Sequence, residues 1–265
     1  MAAASGVSGV DKKRILILGG TAEARELAFR LTENDALDLT LSLAGRTLDP
    51  RPQPVAVRTG GFGGAEGLAD FLRAGGFDIL VDATHPFARQ ISANAEAAAG
   101  IAGVPLIRLE RPGWEATEGD QWLNVGSITE AIAALGGASR RVFLAIGRQE
   151  AFRFSAVPQH FYLVRSIDPV DPPLDAPHVS YLLARGPFGK DDEIALLTQN
   201  RIDIIVSKNS GGEAAYGKIA AARALGLPVI MIGRPKSGNV PVAGSPDEMI
   251  QMIDHLFSTG RKRGV

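Results

Sequence analysis

Arg14–Leu31, RILILGGTAEARELAFRL, changes its hydrophobic period at a pair of glycines. Ile15 to Leu18 are four apolar residues in a row and read as a buried strand. Gly19 and Gly20 end it. Thr21 follows as an N-cap, its hydroxyl able to accept from a free amide of the first helical turn. Ala24, Leu27, Ala28 and Leu31 then recur at i, i+3, i+4 and i+7, one face of a helix. Strand, glycine turn and helix N-terminus together make an anion site. Free amides and the positive dipole end point at the turn, and glycine lets a phosphate approach the backbone. The full G-x-G-x-x-G is absent, and Glu23 puts a carboxylate beside the place a diphosphate would take. An α/β strand–turn–helix without a ligand fits the same residues.

The pattern repeats downstream. Leu37–Leu43, LDLTLSL, alternates strictly, as a half-buried strand does. Further strands are expected at Val55–Val57, Phe77–Val81 and Val104–Leu109, with helices over 65–74 and up to Ala102. Such alternation on short connections predicts a parallel sheet covered on both faces. Trp122–Val125 is a short strand, and the helix Ile128–Leu135 stops at Gly136-Gly137. From Arg141 the pattern starts again. Strands are expected at Val142–Ile146, Phe161–Val164, Val179–Leu183, Ile202–Val206 and Val229–Ile232. A short helix follows Gly147, others cover Lys190–Asn200 and Ala214–Leu225, and Ser245 with Pro246 opens a terminal one. The fold class is α/β: two Rossmann-like domains with parallel sheets and an active site in the interdomain cleft. The expected divisions are a tail at 1–13, a first domain at 14–138, a second at 139–257 and a tail at 258–265.

With 265 residues, 45% apolar and 22% charged, the chain can bury an ordinary core. A net charge of −1 argues against broad nucleic-acid binding, which needs a basic surface. Cysteine is absent, which excludes disulfides, thiol nucleophiles and cysteine metal sites. Four histidines leave little for a His-only centre, so no metal is expected. The N-terminal residues lack a basic region followed by an apolar core, and no apolar run reaches the length of a membrane span. A cytoplasmic protein without nucleic-acid or membrane partners is the expectation.

Ligands of open parallel sheets bind beyond the C-terminal strand ends, and four such ends carry unusual sequence. Gly19, Gly20 and Thr21 form the expected cofactor turn. Arg46 stands just past the strand Leu37–Leu43, where an arginine suits a 2′-phosphate, which favours NADPH over NADH. Asp38 has the spacing of a ribose-binding acid but lies at the wrong end of that strand. The turn Asp82–Phe87 brings a carboxylate, the Thr84 hydroxyl and the His85 imidazole to one rim. His85 is the group able to deliver a proton near neutrality, with Asp82 and Thr84 as its catalytic companions. The plainer reading of Asp82 and Thr84 is a helix cap. Gly147-Arg148 and Ser207–Gly212 offer Arg148, Lys208 and Ser210 to substrate carboxylates, with a cofactor phosphate the alternative for Lys208, and Arg153, Arg165, Arg185 and Lys190 add positive charge to the second half.

Five blocks in this order go beyond a dinucleotide fingerprint. They are Leu18-Gly19-Gly20-Thr21 with Glu23-Ala24, Ser42-Leu43-Ala44-Gly45-Arg46, Val81 to Ala88, Ser207 to Gly212, and Leu227 to Ile232 with Arg234-Pro235. Spread from Ile15 to Pro235, they resemble the precorrin-6A reductases, the NADPH-dependent family of cobalamin biosynthesis. Glu23 belongs to that family's pattern. The resemblance implies reduction of one ring D double bond of precorrin-6A to give precorrin-6B, with hydride from NADPH and a proton from an acid. The tetrapyrrole carries acetate and propionate carboxylates, which gives the basic second half a purpose. Other corrin-pathway enzymes are candidate partners. Two readings stay open on the residues alone: another NADPH-dependent reductase of a small substrate, and a non-catalytic two-lobed module that binds a polyanion.

Overall fold

The computed structural model describes residues 12–45, 52–235 and 238–260. They divide into two units, one formed by 12–111 together with 238–260, the other by 112–235. Each unit contains one six-stranded sheet, and every strand pair in both sheets is parallel. The two Rossmann-like parallel sheets expected from the sequence are both present.

In the first unit the strands are β1 (Lys13–Leu18), β2 (Leu37–Leu43), β3 (Ala56–Thr59), β4 (Ile79–Asp82), β5 (Leu106–Leu109) and β12 (Val242–Ala243). Their spatial order is β12-β5-β4-β1-β2-β3. The order reverses between β1 and β4, so the crevice of a doubly wound sheet opens above these two strands. The helices are α1 (Ala22–Leu31), α2 (Ala65–Gly75), α3 (Arg89–Ala102) and α7 (Pro246–Gly260). Ile15 and Ile17 of β1 bury against Ala24, Leu27 and Leu31 of α1 and join Met249 and Ile253 of α7. Leu16 and Leu18 bury on the other face with Leu68 and Leu72 of α2 and Ala95 and Ala99 of α3. Burial on both faces is why this strand is apolar throughout rather than alternating.

The second unit has β6 (Trp122–Val125), β7 (Arg141–Ala145), β8 (Phe161–Ser166), β9 (Val179–Leu183), β10 (Ile204–Lys208) and β11 (Val229–Ile232), with α4 (Ile128–Leu135), α5 (Lys190–Gln199) and α6 (Gly217–Leu225). The order β6-β11-β10-β7-β8-β9 reverses between β7 and β10. Phe143, Ile205 and Met231 of its strands form one core with Leu197 of α5 and Ile219 and Ala222 of α6.

Four expectations need correction. The boundary expected between residues 138 and 139 lies after Arg111, because β6 pairs with β11 and α4 packs on β11. The C-terminal segment expected in the second domain returns to the first. Arg108 N donates to Pro241 O (2.9 Å) and Glu110 N to Ala243 O (2.9 Å), which adds β12 to the edge of β5. A two-residue strand carries no periodicity, so nothing local announces it. Of the expected tails, Lys13 opens β1 and α7 runs to Gly260, while 1–11 and 261–265 lie outside the described residues. The helix expected after Gly147 is a 3-10 turn at Ala151–Ala156. Among the described residues no helix is long and apolar enough to cross a membrane.

Membership of α7 in the first core has a measurable consequence. Ile253 is fully buried there, so Ile253→Ala should destabilise the protein by about 2–5 kcal/mol in urea unfolding. Amide hydrogen exchange should accelerate in β1 and β2 and stay unchanged in β7 and β10. Acceleration confined to the second sheet would contradict this assignment.

Candidate active site

The order reversal of the first sheet brings two of the expected turns together. Gly19 follows β1, and a Cβ on it would stand 2.6 Å from Leu41 Cδ1, so glycine is what lets the turn close on β2. Gly20 has φ +118°, a conformation that favours glycine, and the space a Cβ would enter is open. Thr21 caps α1 as its sequence suggests: its Oγ1 accepts from Ala24 N (3.0 Å). The same hydroxyl donates to Ala83 O (2.9 Å), fastening the turn after β1 to the turn after β4.

Asp82 ends β4 and is 1% exposed. Its Oδ1 accepts from Thr84 N (3.2 Å) and Thr84 Oγ1 (2.7 Å), and its Oδ2 accepts from Arg108 Nε (3.2 Å). Arg108 Nη2 also donates to Glu96 Oε1 (2.8 Å). A buried carboxylate is tolerated here because it is both ion-paired and hydrogen-bonded. Through these bonds the buried Asp82 supports Thr84. His85 is exposed, and its Nδ1 accepts from Phe87 N (3.3 Å), which assigns the ring proton to Nε2.

The sequence had left Glu23 as an awkward negative charge at the start of α1. Arg111, at the far end of the first unit's central chain segment, answers it: Arg111 Nη1 lies 2.6 Å from Glu23 Oε2, both side chains less than a quarter exposed. Thr21, Glu23, Thr84, Pro86 and Arg111 line one small pocket. Nothing local in the sequence points to Arg111, since its partner is 88 residues away. Arg46 lies outside the described residues.

In the second unit the same reversal joins the turns after β7 and β10. Gly147 has φ +82°, and Arg148 beside it is half-buried. Lys208 pairs with Glu150, so its charge is already partly balanced. Ser210 N donates to Lys208 O (2.8 Å), tightening the loop. Two residues outside the candidate site set, Trp114 and Arg234, hold this loop. Asn209 Oδ1 accepts from Trp114 N (2.8 Å), Asn209 Nδ2 donates to Trp114 O (2.9 Å), and Trp114 Nε1 donates to Gly212 O (2.9 Å). Arg234 donates to Asn209 O (2.9 Å), Ser210 O (3.0 Å) and Pro112 O (3.1 Å).

Of the other basic residues, Arg165 alone is internal. Arg165 is buried in an ion pair with Glu193 and stacks 3.8 Å from the Phe188 ring centroid, which gives it a structural role. Arg153 is 3.8 Å from Glu150 and donates to Thr129. Arg185 and Lys190 are exposed. A cavity of about 310 Å³, lined by residues such as Arg141, Phe161 and His178, lies where the second sheet's strands begin, away from their C-terminal rim.

Comparison with known proteins identifies the family. A family model described as precorrin-6x reductase CbiJ/CobK matches residues 14–254. A precorrin-6A reductase of a Sinorhizobium species is 59% identical over 251 residues, covering 95% of this chain and 96% of that protein. A precorrin-6A reductase of Rhodococcus erythropolis is 50% identical, covering 84% and 89%. A solved structure titled CobK precorrin-6A reductase superposes with a TM-score of 0.87 at 45% identity, covering 92% of this chain and 96% of that one. With two parallel sheets, paired turns at each reversal of strand order and a family match over nearly all of its folded residues, the chain belongs to the precorrin-6x reductase family.

Proposed function

We propose that this chain reduces precorrin-6A to precorrin-6B in cobalamin biosynthesis, saturating one ring D double bond with a hydride from NADPH and a proton. The observation that carries the reading is the Thr21–Ala83 hydrogen bond, which unites the glycine turn and the Asp82–Phe87 turn where the strand order reverses.

The residues present fit a dinucleotide. Gly20 leaves open space over a backbone that turns toward the start of α1, where a diphosphate finds amide donors and a favourable dipole. Arg111 removes the objection that Glu23 raised, because the carboxylate is neutralised locally. Arg46 would take the 2′-phosphate. When bound, the nicotinamide supplies the hydride.

The chain's own work is positioning and proton handling. Arg108 fixes Asp82, Asp82 fixes the Thr84 hydroxyl and amide, and the turn then presents His85 at the rim. Hydride addition to one carbon of the double bond leaves its neighbour to be protonated. The imidazolium form of His85 is the candidate donor: giving up a proton returns the neutral ring, whose Nδ1 accepts from Phe87 N, and solvent restores the charge. In the second unit Lys208, Ser210 and Arg148 meet the substrate carboxylates, with Trp114 and Arg234 keeping their loop in shape.

Direct assay with NADPH and precorrin-6A tests the whole reading, and three variants test its parts. Gly20→Val should fold, as judged by circular dichroism, yet lose NADPH binding, since a branched side chain would fill the open space and strain φ +118°. Binding retained by the folded variant would move the cofactor elsewhere. Arg46→Ala should remove one charge-assisted contact, about 1.5–3 kcal/mol, weakening NADPH about 10- to 100-fold with NADH nearly unchanged. Equal losses for both cofactors would end that role. His85→Asn should slow single-turnover reduction about 10²-fold or more and flatten its pH dependence. A loss below about tenfold with the profile intact would leave water as the donor.

A further inference from the structure

Lys218, in the first turn of α6, is a charged residue that the reading above does not use. It is only 3% exposed. Its Nζ donates to Ala215 O (2.7 Å), in the turn that precedes α6, and sits 4.6 Å from the Trp114 ring centroid. An ammonium over an indole face is attracted by the ring's negative quadrupole, more strongly where water is excluded. Trp114 is the residue that grips Asn209 from both sides and Gly212 through its indole N–H. Lys218 therefore bears on the Lys208–Gly212 loop through one intermediate.

The charged groups around it are few. Arg165 faces it from β8 and Glu193 from α5. Glu193 Oε2 is buried without a hydrogen-bond partner, a local reserve of negative potential that favours a cation. Beyond Trp114 lies the Tyr216 ring, centroids 5.8 Å apart, whose hydroxyl is bonded to Arg223, itself paired with Asp120.

We propose that Lys218 is a positioning residue for substrate capture: it fastens Trp114 and the Glu213–Ala215 turn, and Trp114 holds the Lys208–Gly212 loop in the shape that receives acidic substrate groups. The proposal rests on the reading that this loop meets the tetrapyrrole carboxylates. Burial, reinforced by Arg165, brings the Lys218 ammonium down to about 7, although Glu193 works the other way. The folded protein therefore holds fewer protons than the unfolded chain between about 7 and the ordinary lysine value of 10.5. Stability gained from the neutral amine is present at high pH and is lost as pH falls toward 7. The grip on Trp114 runs the opposite way, strengthening as the amine is protonated. Substrate capture and stability thus draw on opposite charge states of one side chain.

The chain has two tryptophans, and Trp122 Nε1 is buried without a hydrogen-bond partner, so Trp122→Phe breaks no bond and leaves Trp114 as the sole indole reporter. In that background Trp114 emission should titrate between about pH 6 and about pH 8.5, with a midpoint near 7. Lys218→Met, which keeps the stem but not the charge, should abolish the transition. In the full enzyme the same substitution should raise KM for precorrin-6A about tenfold, with kcat little changed and NADPH binding unaffected. A flat Trp114 emission with Lys218 in place overturns the proposal, and that measurement stands even if Lys218→Met fails to fold. A transition that persists in Lys218→Met, or a KM that does not move, overturns it as well. If Lys208→Ala also leaves KM unchanged, the loop is not the substrate loop. The substrate role then falls with the reading beneath it, whatever Trp114 emission reports.

Discussion

A strand with parallel neighbours on both sides loses water from both faces and passes its chain to the next strand only through a crossover. Where successive crossovers leave in opposite directions, the two strand ends between them are not covered. This constraint places the four candidate turns. β1 and β4 flank that point in the first unit, and β7 and β10 in the second. The four stretches with unusual sequence, Gly19–Thr21, Asp82–Phe87, Gly147-Arg148 and Ser207–Gly212, are the turns that leave these four strands. Glycine, hydroxyl and charged residues collect there because the backbone turns sharply beside a space that helices do not fill.

The same constraint explains what could be read from the chain directly. Fully buried central strands demand unbroken apolar runs, so ILIL and IIV stand out, and the helices that cover them carry a 3.6-residue period. Thr21 and Ser245 were legible as caps because a cap answers to the three residues that follow it. The domain boundary was not legible. Trp122–Val125 looks like the end of the first set of strands, and only its pairing with β11, more than a hundred residues later, assigns it to the second sheet. β12 is too short for any pattern, and its identity depends on the free edge of β5.

Charge was the least legible property. From sequence, Glu23 is an obstacle to an anion and Arg165 an asset for one. In three dimensions Glu23 is matched by Arg111, and Arg165 is held by Glu193 beneath Phe188. Asp82, expected as a companion of His85, is bonded on one side by Arg108 and on the other by Thr84. Each reassignment follows from one fact: a residue's charge is answered by its partner, and these ion-pair partners lie 26 to 88 positions away. The turn residues could be found because they answer to local backbone geometry, whereas ion pairs answer to the whole fold.

The return of residues 238–260 to the first unit also bears on how the chain is made. On the ribosome the second unit, contiguous over 112–235, has its complete sheet available as soon as β11 emerges. The first unit, although its central strands emerge earliest, must wait for the final helix to cover Ile15 and Ile17. Until then it offers water an apolar face and an unpaired β5 edge, the kind of surface that nascent-chain chaperones recognise. The half of the protein synthesised first is thus the half completed last, and its folding is timed by translation of the other.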